Sequence, residues 1–202
     1  MSIPKSHYFE AQPAVPSRPR RVRLKTGDID LQLQADRGVF GSKGVDLGTI
    51  VLLEHAPPPP GDGDILDLGA GYGPIALALA RRAPNAKVWA VDINERALEL
   101  TKANAQSAEL GNIEARLPDD MPAELTFDAI YSNPPVRVGK QPLHDLLMRW
   151  LPRLKAGGAA YLVVQRNLGS DSLMAWLNEN GFEAMRLKSK KGYRVLGVRN
   201  RP

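Results

Sequence analysis

Asp67-Leu68-Gly69-Ala70-Gly71-Tyr72-Gly73-Pro74 decides the fold, because it stands where the apolar run Asp64-Ile65-Leu66 gives way to the helical pattern PIALALARRA. At a strand-to-helix junction, main-chain N–H groups and missing side chains let a ligand approach closely. Gly73 comes one residue too early for the GxGxxG of nicotinamide-binding turns, and Pro74 after it is tolerated in a helical first turn. Asp92 closes the next apolar run, KVWAVD, nineteen residues after Gly73, about where an acid reaches the ribose hydroxyls of a nucleotide-like cofactor. Carboxylates here favour a cationic ligand such as a sulfonium over a pyrophosphate.

Outward from this turn, short apolar runs alternate with longer helical patterns. NERALELTKANAQSAEL reads as a helix with Asn94 as N-cap and Gly111 ending it. NIEARL, FDAIYSN and AAYLVVQ read as strands, LHDLLMRWLPRLKAGG as a helix broken at Pro152, and SLMAWLNENG as another helix. FEAMRLKS and YRVLGVRN pair around a Lys190-Lys191-Gly192 turn, which makes the last strand antiparallel. Upstream, VRLKT and IDLQLQ alternate apolar and polar residues around Gly27-Asp28, and TIVLLEHA supplies about two helical turns before Pro57 to Pro60 stop it. The expectation is an α/β, Rossmann-like fold. It has a mostly parallel seven-stranded sheet with a C-terminal antiparallel hairpin, helices on both faces, and an N-terminal β-hairpin. A single domain over 1–202 is expected: a basic, Pro-rich extended arm over 1–20, a hairpin, loop and helix over 21–56, and a core over 62–202.

Zero cysteines exclude disulfides, thiolate metal sites and a cysteine nucleophile; His7, His55 and His144 lack metal-ligand spacing, so no metal is expected. No segment approaches the length of a membrane span, and MSIPKSHYFE lacks the apolar core of a signal peptide, which points to the cytoplasm. Net charge is +5 but unevenly spread. Residues 18 to 25 carry five Lys/Arg and no acid, and residues 186 to 201 carry seven and no acid. Removing those twelve leaves 15 of the 27 basic residues against 22 acids, so the basicity is concentrated near the two termini. That is the footprint expected of a polyanion partner.

Downstream of the glycine turn, FDAIYS ends in Asn133-Pro134-Pro135-Val136. An Asn side-chain carbonyl and a proline main-chain carbonyl are acceptors without acidity, suited to orienting an amine rather than to deprotonating an alcohol. Asn133 and Pro134 each precede a proline, which favours extended backbone, and the prolines fix their own φ. The loop is expected to be stiff, as a catalytic cradle requires.

These strings resemble those of class I S-adenosylmethionine-dependent methyltransferases, and specifically the RsmC-type family of small methyltransferases, which includes enzymes that methylate guanine N2 in small-subunit ribosomal RNA. DLGAGYGPIALALA resembles the first cofactor motif, VDIN the ribose-binding strand end, and SNPPVRVGK the catalytic loop. DRGVFGSKGVDLGT resembles the segment ahead of the cofactor domain and assigns the family within the class. The match runs from about His7 to Arg199. It implies S-adenosyl-L-methionine as cofactor, with Asp67, Gly69, Ala70, Gly71 and Gly73 at its methionine end and Asp92 and Ile93 at its ribose. The loop bearing Phe40, Asp46 and Thr49 would close over the methionine portion, Arg116 and Leu117 would flank the adenine, and Asn133 would stand between cofactor and amine.

The same resemblance implies methylation of the exocyclic N2 amine of a guanine in RNA, with ribosomal RNA or the small ribosomal subunit as the expected partner. Asn133 Oδ1 and the Pro134 carbonyl would each accept one N–H, turning the nitrogen lone pair towards the methyl group, with Pro135 and Val136 completing the loop. Many relatives carry an aromatic at the position of Val136. Valine offers apolar contact but no π-face, so stacking on the base is weaker or comes from elsewhere. Expected RNA contacts are Arg18, Arg20, Arg21, Arg23, Arg137, Lys140, Lys188, Lys190 and Lys191. Rival readings are methylation of adenine or of a protein glutamine, and, from another class, a non-catalytic RNA- or partner-binding module of the same fold. The basic termini favour nucleic acid, and two intact loops argue against decay. Trp89, Trp150, Trp176, His55, His144 and Tyr131 are expected to be structural.

Overall fold

The computed structural model describes residues 15–201, so most of the arm expected over 1–20, with His7, lies outside the described residues. β1 (Arg20–Thr26) and β2 (Ile29–Ala35) form a separate antiparallel hairpin around Gly27-Asp28. Its alternation buries Val22, Leu24, Ile29, Leu31 and Leu33 on one face. α1 (Leu47–His55) follows, N-capped by Asp46. The main sheet contains β3 (Asp64–Leu68), β4 (Lys87–Val91), β5 (Ile113–Arg116), β6 (Phe127–Ser132), β7 (Leu154–Gln165), β8 (Phe182–Lys190) and β9 (Tyr193–Asn200). Its order is β5-β4-β3-β6-β7-β9-β8. The strands β3 to β7 are mutually parallel, and β9 runs antiparallel to both β7 and β8. This is the expected α/β architecture.

Strand alternation feeds two cores, one on each face. Ile65, Val88 and Ala129 pack with α1, α2 (Pro74–Arg82), the start of α3 (Glu95–Ser107) and the hairpin. Leu66, Leu68 and Ile130 pack with α4 (Lys140–Trp150) and α5 (Ser170–Glu179) on the other side. No helix among the described residues is long and apolar enough to cross a membrane.

Two helix ends differ from the sequence expectation. α3 stops at Ser107, not at Gly111, in a Schellman closure: Leu110 N donates to Ala105 O and Glu109 N to Gln106 O, with Glu109 at φ 55. Leu110 is thereby folded back onto the core, an apolar gain that outweighs a non-glycine residue in the left-handed region. α4 starts at Lys140 and stops at Trp150; a single 3-10 turn over Leu151–Arg153 carries Pro152, and the expected helical tail LKAGG is instead the beginning of β7. Leu154 pairs with Phe127, so sheet pairing takes those residues as soon as the proline ends the helix.

β3 pairs with β4 on one side and β6 on the other, with the chain winding in opposite directions from it. The carboxyl ends of parallel strands at such a switch point open onto a crevice, where ligands bind in open α/β sheets.

Candidate active site

A cavity of about 470 Å³ lies at that crevice, lined on one side by Gly69, Gly71 and Asp92 and on the other by Asn133 to Val136. The first side is built largely from backbone. Gly69 (φ +77) and Gly71 (φ +58) occupy the left-handed region; a Cβ on Gly69 would meet nothing within 4 Å, and one on Gly71 nothing nearer than 3.9 Å. Their missing side chains therefore leave free volume for a ligand. Gly73 is different, since a Cβ there would lie 2.8 Å from Leu77 Cδ1 and 2.9 Å from Thr101 Cγ2. It is a packing glycine.

Asp92 Oδ2 accepts from Gly71 N at 2.8 Å and Oδ1 from Asn94 N at 2.9 Å, so the β4 end and the glycine turn hold one another. Burial pushes its pKa up, against those backbone donors. Asn94 caps α3 and donates from Nδ2 to Gly38 O at 2.9 Å. That bond fixes the loop whose Val39 and Phe40 border the cavity.

The second side is built around Asn133. Ser132 Oγ donates to Leu68 O at 2.6 Å and ties the ends of β6 and β3 together. Pro135, at φ −75 and ψ 68, forms an inverse γ-turn in which Val136 N donates to Pro134 O at 2.8 Å. The Pro134 oxygen keeps a second lone pair. Asn133 Nδ2 donates to Asp46 Oδ1 at 2.8 Å and to Thr49 Oγ1 at 3.2 Å. A carboxylate can only accept, so the nitrogen end of the carboxamide must face Asp46 and the oxygen end is left for a ligand. Asp46 Oδ1 also accepts from Gly48 N at 2.8 Å, which makes the helix cap and the amide clamp one group.

Phe40, Asp46, Gly69, Gly71, Asp92, Ile93, Asn133, Pro134, Pro135 and Val136 all line the cavity, and Thr49 and Ala70 line a small recess continuous with it. Four expected cofactor contacts line neither. Asp67 is fully buried beneath α2, where Oδ2 accepts from Ala76 N at 2.8 Å. Burial pushes its carboxyl up to about 8. Gly73 is held by packing, Arg116 pairs with Glu114, and Leu117 turns onto the core while Pro118 takes the place on the wall.

Sequence reasoning also missed Gln165, Leu168 and Tyr193 on the wall. Gln165 and Tyr193 face each other across β7 and β9. A Cβ on Gly48 would lie 2.8 Å from both Asp46 Oδ1 and Tyr193 Cε1, so this glycine admits the ring beside the amide clamp. Trp150, expected to be structural, is fully buried and still borders the cavity. Tyr131 donates to Pro57 O at 2.9 Å, and His144 stacks on Trp176 at 3.7 Å.

Among the expected RNA contacts, Lys190 pairs in register with Tyr193, which puts the Lys188, Lys190 and Lys191 end of the hairpin at the cavity end of the sheet. Arg20 pairs in register with Ala35, just before the loop that carries Phe40. Arg18, Arg20, Arg21 and Lys140 are exposed, whereas Arg23 is engaged by Asp30 at 2.6 Å. The side chain of Arg137 lies outside what the structure describes.

The uncharacterized protein YbxB of Bacillus subtilis is 34% identical over 193 residues, covering 94% of this chain and 96% of that protein. The ribosomal RNA large subunit methyltransferase G of Pseudomonas fluorescens is 34% identical over 176 residues, covering 83% of this chain and 46% of that protein. Among solved structures, the T. thermophilus 16S rRNA guanine-N2 methyltransferase RsmC, in complex with AdoMet and guanosine, superposes with a TM-score of 0.76. It is 27% identical, and the match covers 94% of this chain and 52% of that one. The chain thus spans about half the length of the two named methyltransferases. The model of the methyltransferase small domain family matches residues 30–197, and the chain belongs to that family.

Proposed function

We propose that the chain is an S-adenosylmethionine-dependent N-methyltransferase acting on the exocyclic N2 amine of a guanine in ribosomal RNA. The observation that carries this reading is the orientation of Asn133: Asp46 and Thr49 take its nitrogen end, leaving Oδ1 for a ligand on a cavity whose wall also carries Pro134 and the open glycine turn. Two neutral acceptors suit an amine with two N–H groups.

The cavity fits the cofactor on its own features. Free volume at Gly69 and Gly71 admits the methionine portion, and Asp92 stands ready to accept from ribose hydroxyls while its carboxyl is steadied by Gly71 and Asn94. Pro118 and Ile93 give apolar walls for the adenine, and Phe40, Asp46, Thr49 and Ala70 close the methionine end. When bound, S-adenosylmethionine supplies the electrophilic methyl group. Asn133 and Pro134 then hold the acceptor nitrogen with its lone pair directed at that methyl. Their pull strengthens as positive charge develops on nitrogen, which favours the transition state over the ground state, and the methylated amine then releases one N–H proton to solvent. Pro135, locked in its γ-turn, fixes the Pro134 carbonyl through the bond it accepts from Val136 N.

RNA is favoured over a protein glutamine by the basic segments: Arg18, Arg20 and Arg21 on one flank, Lys188, Lys190 and Lys191 on the other. The names of the two methyltransferase relatives point to ribosomal RNA of either subunit. Incubation with labelled S-adenosylmethionine and total RNA, followed by nucleoside mass analysis, should yield N2-methylguanosine. N6-methyladenosine, or label in protein, would replace the proposed acceptor; no label in any polymer would favour a binding module.

A further inference from the structure

Val136 leaves the amine loop without a ring, yet a planar base held for methylation needs a flat surface to fix its tilt. Among the described aromatic residues bordering the cavity, Phe40 belongs to the cofactor side and Trp150 is fully buried against Phe127 and Arg153. Tyr193 is the third. Its ring edge rests on Gly48, and Asp46 touches that same glycine while clamping Asn133, so ring and amide are linked through one residue. Gln165 lies directly across from Tyr193, at the end of β7.

We propose that Tyr193 is the platform on which the acceptor nucleobase lies, taking over the role that an aromatic in the loop would play, and that Gln165 pairs with the edge of the base. This rests on the reading above that the acceptor is a nucleobase. A carboxamide offers a donor and an acceptor side by side, complementary to guanine O6 and N1–H. Turned over, it fits adenine equally, so Gln165 orients a purine without choosing one. The hairpin turn at Lys191 and Gly192 lies next to Tyr193 in the chain, which sets the basic flank where the phosphates of a bound nucleotide would continue.

The test is guanosine binding to the protein loaded with S-adenosylhomocysteine, followed by ligand-observed NMR titration. Tyr193→Leu should weaken guanosine about ten-fold, the loss of one base–aromatic stack, with S-adenosylhomocysteine affinity unchanged as the check on folding. Tyr193→Phe should restore most of that loss, and Val136→Phe added to Tyr193→Leu should restore part of it by returning a ring to the loop. With RNA, Tyr193→Leu should raise KM far more than it lowers kcat. Guanosine affinity that is absent in the unmodified protein, unaffected by Tyr193→Leu, or as weak in Tyr193→Phe as in Tyr193→Leu overturns the platform. Binding requires no turnover, so failure to methylate RNA would sink the functional reading without touching this result.

Discussion

The two sides of the cavity are made of different material. The side proposed for the cofactor is built on glycines in left-handed backbone, a half-buried carboxylate and a cap residue within the stretch from Gly69 to Asn94, with Phe40, Asp46 and Pro118 added to it from outside that stretch. The side proposed for the acceptor uses Asn133, Gln165 and Tyr193, three separate stretches of the chain, with Asp46 clamping the first of them. A site that must admit one invariant cofactor can be built into a continuous β-α-β unit, whereas a site that must hold a particular acceptor is assembled by the sheet.

If that division holds, substitutions should split cleanly between binding and turnover. Asn133→Ala has the largest expected effect: a loss of about 10²–10³-fold or more in kcat, as for removal of a preorganised polar group at a developing charge, with cofactor affinity nearly unchanged by calorimetry. Retained turnover would erase the acceptor side as drawn. Asp92→Ala should do the opposite. Losing hydrogen bonds to a carboxylate should weaken cofactor about 10–100-fold while leaving kcat at saturation within a few-fold. An unchanged affinity would remove Asp92 from the cofactor side.

The smallest effect is one of stability and concerns Asp67, which lies beneath α2 and off the cavity wall. Burial raises Asp67 from 3.8 in the unfolded chain to about 8 in the fold, so the folded state binds the proton more tightly. The stability this gives is fully present below about pH 4 and is lost as pH rises towards and through about 8. Asp67→Asn, neutral throughout, should flatten the fall in Tm across that window. A pH profile identical to that of the unmodified protein would mean that Asp67 titrates normally.

What the sequence disclosed follows the same boundary. Gly69, Gly71 and Asp92 were legible because backbone conformation and strand ends leave local marks, and Asn133-Pro134-Pro135 was legible because two consecutive prolines can serve few purposes at a strand end. Asp67 could have been placed better. Alternation along β3 puts it on the same face as Ile65, under α2, and away from the cavity. Pro118 was missed by one residue, because a four-residue strand leaves its end poorly marked. Tyr193 and Gln165 were not legible at all. They meet because β9 inserts between β7 and β8, and no local pattern in either strand encodes that neighbour.

A crystal structure with S-adenosylhomocysteine and guanosine tests the divided cavity most directly. Asn133 Oδ1 and Pro134 O should both lie within hydrogen-bond distance of guanine N2, with the cofactor product against Gly69 and Asp92 and the base against Tyr193. Guanosine bound with N2 turned away from Asn133, or the Asn133 carboxamide rotated so that its nitrogen faces the cavity, would contradict it.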